Sequence, residues 1–255
     1  MTVCVPMPDQ LDARETRVFA SEVKFVVPSD LGMLIRDWAR RHLAADPHGG
    51  GPFGDEYHTA SLYFDTRALD VFHRRGSYAR CKYRVRRYGN GDRIFLERKL
   101  RRPRLLIKRR TAETLPGLHR LSAETPGRGW SGDWFYRRLL ARRLEPACQI
   151  SYDRIARALV NGDGPGRLTI DDEIRAVAID AVRFTSTDGE PVLPGSTIVE
   201  MKYRLHVPAA FKHLVETFGL RPATASKYRL GMAALGHPIG AGEPSVPMDG
   251  DSAHA

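Results

Sequence analysis

Apolar and polar residues alternate with a period of two along most of the chain, the pattern of β-strands that have one apolar face. Eight segments show it, at 19–27, 58–66, 78–88, 93–100, 104–110, 148–156, 166–177 and 197–204. Helical periodicity is confined to 29–45, 131–145 and 208–218. Short Gly-rich turns separate several of the strands, which favours antiparallel neighbours. The pattern therefore predicts an α+β protein with a large antiparallel sheet.

The polar face of these strands is charged. In the strand at 81–89, Lys82, Arg84 and Arg86 share one face, roughly 7 Å apart, and like charges at that spacing repel. A solvent-exposed face would explain a single strand of this kind. However, residues 74–110 contain 16 Lys or Arg against only Asp92 and Glu97. Such an excess of one sign indicates that an anionic ligand supplies the counter-charge.

One arrangement places all of these charges together. If the sheet closes into a barrel with its charged face inward, helices can cover the apolar face outside. Attraction to phosphate is stronger in such an interior than at an open surface, because less water screens it. A few carboxylates there could hold a divalent cation that bridges phosphate oxygens. The sequence thus predicts an eight-stranded antiparallel β-barrel with a basic tunnel for a polyphosphorylated substrate.

An ordered set of short motifs resembles the VTC domain of the triphosphate tunnel metalloenzyme superfamily, whose best-known members are polyphosphate polymerases. The resemblance covers about 17–235. Its motifs are Glu22-Val23-Lys24-Phe25, Ser61-Leu62-Tyr63-Phe64-Asp65-Thr66, Lys82-Tyr83-Arg84-Val85-Arg86, Glu97-Arg98-Lys99, Lys108-Arg109-Arg110, Tyr152-Asp153-Arg154, Glu200-Met201-Lys202-Tyr203 and Ser226-Lys227-Tyr228.

The resemblance implies that the chain transfers the terminal phosphate of ATP to a growing polyphosphate chain, with Mn²⁺ or Mg²⁺ as cofactor. It implies that Lys227 lies at the reaction centre with Arg84 and Arg86, and that Glu200 binds the metal. The expected substrate-binding residues are Lys24, Lys82, Arg84, Arg86, Lys99, Lys108, Arg154, Lys202 and Ser226. Phosphoryl transfer depends mainly on positioning and charge neutralisation, which agrees with this set.

One position departs from the superfamily pattern Glu-x-Glu-x-Lys, because Ala20 stands where the first Glu is expected. Hydrolysis of triphosphate, which that pair supports in relatives, is therefore the weaker alternative, and Glu22 is expected to be a second metal ligand or to orient a lysine. A non-catalytic polyphosphate-binding protein is another alternative. Whether Asp171, Glu173 and Glu97 bind metal or balance charge stays open.

The net charge of +10 and the isoelectric point near 9.8 also permit a nucleic-acid-binding module. That hypothesis requires aromatic side chains in phase with the cations so that they can stack on bases. Tyr83 and Tyr203 are out of phase with the cations of their strands, and Tyr152, which is in phase with Arg154, is a single residue. We therefore expect ATP, polyphosphate or another triphosphate as partner, and no nucleic acid.

The chain has no long apolar stretch that could be a signal peptide or a membrane span, which predicts a cytoplasmic location. Three scattered cysteines agree with a reducing compartment and indicate neither disulfides nor a zinc site. Residues 1–14 and 238–255 are predicted to be disordered tails, and 15–237 to form the tunnel domain.

Overall fold

The computed structural model describes residues 12–18, 20–102, 105–124, 127, 129–160 and 166–239, which form one sheet of eleven strands and four α-helices. The strands are β1 (Asp12–Val18), β2 (Ala20–Pro28), β3 (Ala44–Ala45), β4 (Glu56–Asp65), β5 (Cys81–Tyr88), β6 (Arg93–Arg102), β7 (Leu105–Thr114), β8 (Glu145–Leu159), β9 (Gly166–Ala178), β10 (Glu190–Pro191) and β11 (Ser196–Arg204). The helices are α1 (Ser29–His42), α2 (Asp133–Ala141), α3 (Ala209–Thr217) and α4 (Lys227–Ala234).

The predicted α+β class is confirmed, and all eight predicted strands are present, as β2, β4 to β9 and β11. Residues 12–14 of the predicted N-terminal tail form the start of β1, and 238–239 follow α4 without regular structure. The rest of both predicted tails lies outside the described residues.

The predicted closure into a barrel is wrong. The strands follow the order β1-β7-β6-β5-β4-β8-β9-β11-β2, so β1 and β2 are the two edges, and no ladder joins them in the part of the chain that the structure describes. The reason is that β1 and β2 are successive parts of one chain. The first part pairs with β7 and the second with β11, so the chain turns from one edge of the sheet to the other instead of pairing with itself.

The open sheet is nevertheless rolled up. Lys99 of β6 contacts Glu22 of β2 at 2.8 Å, although five strands lie between β6 and β2 along the sheet. The two edges are also tied covalently, because β1 ends at 18 and β2 begins at 20. One face of the sheet is therefore concave and encloses an interior.

The convex face is apolar and covered by helices, as the alternation predicts. Helices α1 and α3 pack on β2, β9 and β11 in a cluster that includes Phe25 and Trp38. Helix α2 packs on β4, β5 and β6, where the rings of Phe64 and Phe135 meet edge to face at 5.8 Å. Burial of each such side chain stabilises the fold by roughly 1.5 to 3 kcal/mol.

Helix α4 lies on the concave face, and the sequence patterns did not predict it. It packs against β8 and β9 so closely that a Cβ atom at Gly231 would be 2.1 Å from Cδ1 of Ile150. The preceding segment is held by the free edge of β2, where the amide of Ala223 donates to the carbonyl of Lys24 at 2.8 Å. The Ser226 hydroxyl then caps the helix by accepting from the Arg229 amide. Lys227, the first residue of α4, is thereby fixed inside the rolled sheet.

Two further features bear on the sequence predictions. Cys81 and Cys148 are free and buried, as expected of small apolar residues, whereas Cys4 lies outside the described residues. None of the helices in the described ranges is long and apolar enough to span a bilayer. The cytoplasmic location stays a prediction.

Candidate functional site: a cationic interior

Among the described side chains, ten cations and four carboxylates lie close together on the concave face of the sheet and at the start of α4. The cations are Lys24, Lys82, Arg84, Arg86, Lys99, Lys108, Arg110, Arg154, Lys202 and Lys227, and the carboxylates are Glu22, Glu97, Asp171 and Glu200. We call this set the cationic interior. It contains every predicted binding, catalytic and metal residue, with the Ser226 hydroxyl at its edge.

The strand phase proposed for β5 is confirmed. Tyr83 and Val85 are buried in the outer apolar cluster, while Arg84 and Arg86 point into the interior. The lysines of the chain are also concentrated in this interior. Six of the seven lysines of the chain lie in the cationic interior, and only Lys212, on α3, lies outside it. Apart from Lys212, the Lys and Arg residues outside the cationic interior are all arginines, so lysine is concentrated in this interior.

Glu97 of β6 is the main counter-ion of strands β5 to β7. Its carboxylate accepts from Arg84 at 2.7 Å and from Arg110 at 2.6 Å, and Lys108 lies 3.2 Å away. Burial opposes ionisation of this carboxyl group, but the charges of Lys108, Arg84 and Arg110 outweigh it and hold the pKa of Glu97 well below its ordinary value. Of the two roles that the sequence left open for Glu97, these ion pairs favour charge balance.

Asp171 of β9 plays the same part on the opposite wall. It is fully buried and receives two hydrogen bonds from Arg154, at 2.5 and 2.7 Å. The Lys227 ammonium lies 2.5 Å from the same carboxylate. Asp171 thus aligns Arg154 and Lys227, two cations that the sequence assigned to the site, and its oxygens are already engaged by them.

Glu173 does not belong to the cationic interior, although simple alternation placed it on the face of Asp171. A β-bulge between β8 and β9 shifts the register there, and Glu173 has a φ of 47°. Its side chain is exposed and lies 3.8 Å from Arg175.

Glu22 and Glu200 are the carboxylates best placed for a metal ion. Both contact the Lys24 ammonium, Glu22 at 3.0 Å, so their oxygens converge on one small volume. Glu200 also pairs with Lys202. Burial and the charge of Glu200 raise the pKa of Glu22, but Lys24, Lys99 and Lys202 outweigh them and lower it to about 2, so the group is ionised at neutral pH.

Two ionised carboxylates fit a hard divalent cation that takes its other ligands from substrate phosphates and water. The described residues contain no group of three or more His, Cys, Asp or Glu that could hold a metal without such help. The donor set therefore suits a metal that arrives with, or is completed by, a phosphorylated substrate.

Arg86 and Lys82 stand apart from these ion pairs. Arg86 is 6% exposed, and its guanidinium donates to the hydroxyls of Ser61 and Tyr152. Lys82 donates to Ser226 at 2.7 Å. Among the described residues, neither forms an ion pair with a carboxylate. A buried cation without a counter-ion is costly, so these two residues mark where an anionic ligand would be most stabilising.

Arg110 and Tyr88 belong to the site but were not assigned to it from the sequence. Arg110 shares the inner face with Lys108, two residues away, and its guanidinium donates to the Tyr88 hydroxyl at 2.8 Å. Tyr88 is likewise in phase with Arg86. The period of two that identified the other residues would have found both.

The comparisons with known proteins agree with this geometry. A family model described as the VTC domain matches residues 19–236. The chain belongs to the VTC domain family. The match includes every strand from β2 to β11 and all four helices. No curated protein is a significant match to this VTC domain.

Solved structures share the fold of the VTC domain. A candidate adenylate cyclase from Bacillus halodurans aligns with a TM-score of 0.52 and 16% identity, over 84% of this chain and 95% of its own. A candidate adenylyl cyclase from Hippeastrum, with a dominant triphosphatase activity, aligns at 0.49 and 14%, over 83% and 94%. At 16% identity, the alignment with the Bacillus halodurans structure shows a similar fold and nothing further.

The charge state of Lys82 predicts how the affinity of the VTC domain for tripolyphosphate depends on pH. Burial, followed by the charges of Lys99 and Lys24, lowers the pKa of Lys82 to about 7. A bound phosphate would raise this pKa again, so binding above pH 7 requires proton uptake. We expect tripolyphosphate affinity to fall by up to roughly tenfold per pH unit above pH 7, as calorimetry at several pH values can measure.

Lys82→Arg separates this effect from titration of the ligand itself, because arginine stays charged throughout the range. The variant should show a shallower loss of affinity with pH. An equally steep loss in Lys82→Arg and in the wild type would contradict the assignment to Lys82.

Proposed function

We propose that this VTC domain is a polyphosphate polymerase that transfers the terminal phosphate of ATP to a growing polyphosphate chain. The proposal rests mainly on the ten cations and only four carboxylates of the cationic interior, which leave Arg86 and Lys82 without a carboxylate partner among the described residues. A linear polyanion with closely spaced charges satisfies such an interior better than a single phosphate. In the reaction, the bond between the β-phosphate bridging oxygen and the γ-phosphorus breaks. A terminal oxygen of the polyphosphate bonds to that phosphorus, and ADP leaves.

The side chains divide between binding and chemistry in this proposal. Arg84, Arg86, Lys99, Lys108 and Arg154 hold phosphate oxygens, with Lys24, Lys82, Lys202 and Ser226 completing the set. Lys227, held in place by Asp171 and by the cap of α4, neutralises the charge that develops between donor and acceptor phosphates. Such preorganised positive charge is the main aid a protein can give to phosphoryl transfer.

A divalent cation, Mn²⁺ or Mg²⁺, would be held by Glu200 and Glu22. When bound, it would neutralise charge on the phosphate oxygens as a Lewis acid. Lys24 contacts both carboxylates, so its ammonium would lie beside the cation and bind phosphate oxygens.

Product analysis tests the proposed reaction. Purified protein is incubated with ATP and Mn²⁺, polyphosphate is detected on gels, and ADP and inorganic phosphate are measured. Formation of polyphosphate in proportion to ADP would support the proposed polymerase. Release of inorganic phosphate without polyphosphate would instead indicate a triphosphate hydrolase, and binding of ATP without turnover would indicate a polyphosphate-binding protein.

The metal assignment predicts a specific defect in Glu200→Gln. The amide keeps the size of the side chain but lacks the charge, so metal activation should require on the order of tenfold more Mn²⁺ or worse. Metal-free binding of tripolyphosphate should persist, because the cations remain. Activity during a Mn²⁺ titration and metal-free calorimetry measure the two effects.

Glu216→Gln, an exposed change on α3, is the matched control and should leave both quantities unchanged. An unaltered Mn²⁺ dependence in Glu200→Gln would refute the assignment of Glu200 as a ligand.

A further inference from the structure

The two ends of the cationic interior differ in chemistry. At one end, β4 begins, β5 ends and β6 begins, and their inner faces carry Tyr57, Tyr88 and Phe95. The rings contact each other edge to face, with centroids 5.5 Å apart for Tyr57 and Tyr88 and 5.7 Å apart for Tyr88 and Phe95. We call these three residues the aromatic end. The opposite end has Lys82 and Lys99 at neighbouring positions of β5 and β6.

Packing does not account for the aromatic end. None of its three rings belongs to either of the two apolar clusters of the protein's described part, and Tyr57 and Tyr88 are partly exposed. By contrast, Tyr63, Tyr152 and Tyr228, further along the interior, all belong to an apolar cluster.

Arginine guanidinium groups flank the aromatic end. Those of Arg86 and Arg110 each lie 5.7 Å from the centroid of the Tyr88 ring, and that of Arg110 lies 4.1 Å from Phe95. Aromatic faces beside arginines bind planar π systems by stacking and by cation–π attraction. The lysines of the other end are compact, strongly hydrated charges that suit a flexible polyanion.

The hydroxyl of Tyr57 is fixed by a side chain of β9 on the inner face of the sheet. Arg167 donates to it at 2.9 Å and also pairs with Asp46 at 2.9 Å. Asp46 begins the Gly-rich loop at 46–56, which leads directly into β4. The ring is therefore held in place at the end of the interior instead of being free to collapse into it.

We propose that the aromatic end is a nucleobase subsite, which fixes the direction in which a nucleoside triphosphate enters. This deepens the proposed function and rests on it. The inner face of β5 then presents, in order, Tyr88 to the base, Arg86 to the inner phosphates, Arg84 to the terminal phosphate and Lys82 to the acceptor. Successive positions are roughly 7 Å apart, as in any strand. The Ser226 hydroxyl accepts from Lys82, whereas the Lys227 ammonium pairs with Asp171 on the opposite wall, near Lys24 and Glu200.

A comparison of ATP with ribose 5′-triphosphate tests the subsite, because the two ligands carry the same triphosphate and differ only in the base. We expect calorimetry to show that wild-type protein binds ATP roughly 5- to 100-fold more tightly, the range for stacking of one base on aromatic side chains. Equal affinities would overturn the subsite while leaving triphosphate binding intact. Binding of neither ligand would overturn the proposed function together with the subsite.

Variants locate the effect. Tyr57→Leu and Tyr88→Leu should each bring the ratio of the two affinities toward one, whereas Tyr57→Phe and Tyr88→Phe, which keep the ring, should preserve it. The ratio is internal to each protein, so a general loss of affinity does not alter it, and the wild-type ratio needs no variant to fold. A wild-type preference for ATP that survives in both leucine variants would show that the base binds elsewhere.

Discussion

Replacing Arg86 with alanine is expected to weaken transition-state stabilisation by about 2 to 4 kcal/mol, which lowers kcat/KM for ATP by a factor of about 30 to 1000. The effect is large because Arg86 is buried, is preorganised by Ser61 and Tyr152, and has no carboxylate counter-ion among the described residues. Its full charge is thus available to a phosphate. Steady-state kinetics at fixed Mn²⁺ measures the loss.

Arg87→Ala is the matched control, because Arg87 lies on the other face of β5 and donates to the carbonyls of Asn90 and Gly91 in the adjoining turn. Its activity should stay near that of the wild type. The melting temperature of ligand-free Arg86→Ala should be unchanged or raised, since a buried and unpaired charge is removed. Comparable activity losses in both variants would contradict the inward orientation of Arg86.

Lys227→Ala is expected to lower kcat by on the order of 100-fold or more while changing ATP affinity much less, because its charge is needed most in the transition state. Burial lowers the pKa of Lys227 to about 8 against the opposing influence of Asp171, so the side chain is mostly charged at neutral pH. Turnover measured at saturating ATP, together with binding by calorimetry, separates the two effects.

Lys212→Ala provides the control, since Lys212 is exposed on α3 and is the one lysine outside the cationic interior. The fold of Lys227→Ala should persist, because Asp171 keeps both hydrogen bonds from Arg154. Near wild-type turnover in Lys227→Ala would mean that residues 226–228 only anchor α4.

The composition of the interior could be predicted because it depends on strand phase alone. A period of two separates Arg84 and Arg86 from Tyr83 and Val85, and no knowledge of the strand order is needed. The same rule failed at Glu173, where the bulge in β9 adds a residue that no local pattern reveals.

The partners of the carboxylates could not be predicted, because they depend on strands that are distant in sequence. Glu97 meets Arg84 and Arg110 from its two neighbouring strands, while Asp171 meets Lys227 from α4. Helix α4 itself escaped prediction because it is only eight residues long and contains Gly231, which its close packing on Ile150 requires. The closed barrel was predicted wrongly because alternation shows which face of a strand is polar but does not show whether the two edge strands of the sheet pair.

Competition between tripolyphosphate and single-stranded RNA tests the central claim, that the concave face binds linear polyphosphates, most directly. Tripolyphosphate should raise the melting temperature, because a ligand that binds only the native state stabilises it. At equal salt, it should also displace labelled RNA at a far lower phosphate concentration than the one at which RNA displaces tripolyphosphate. Arg86→Ala should weaken the tripolyphosphate effect and leave RNA binding unchanged. Equal or preferential binding of RNA, with no stabilisation by tripolyphosphate, would contradict the account.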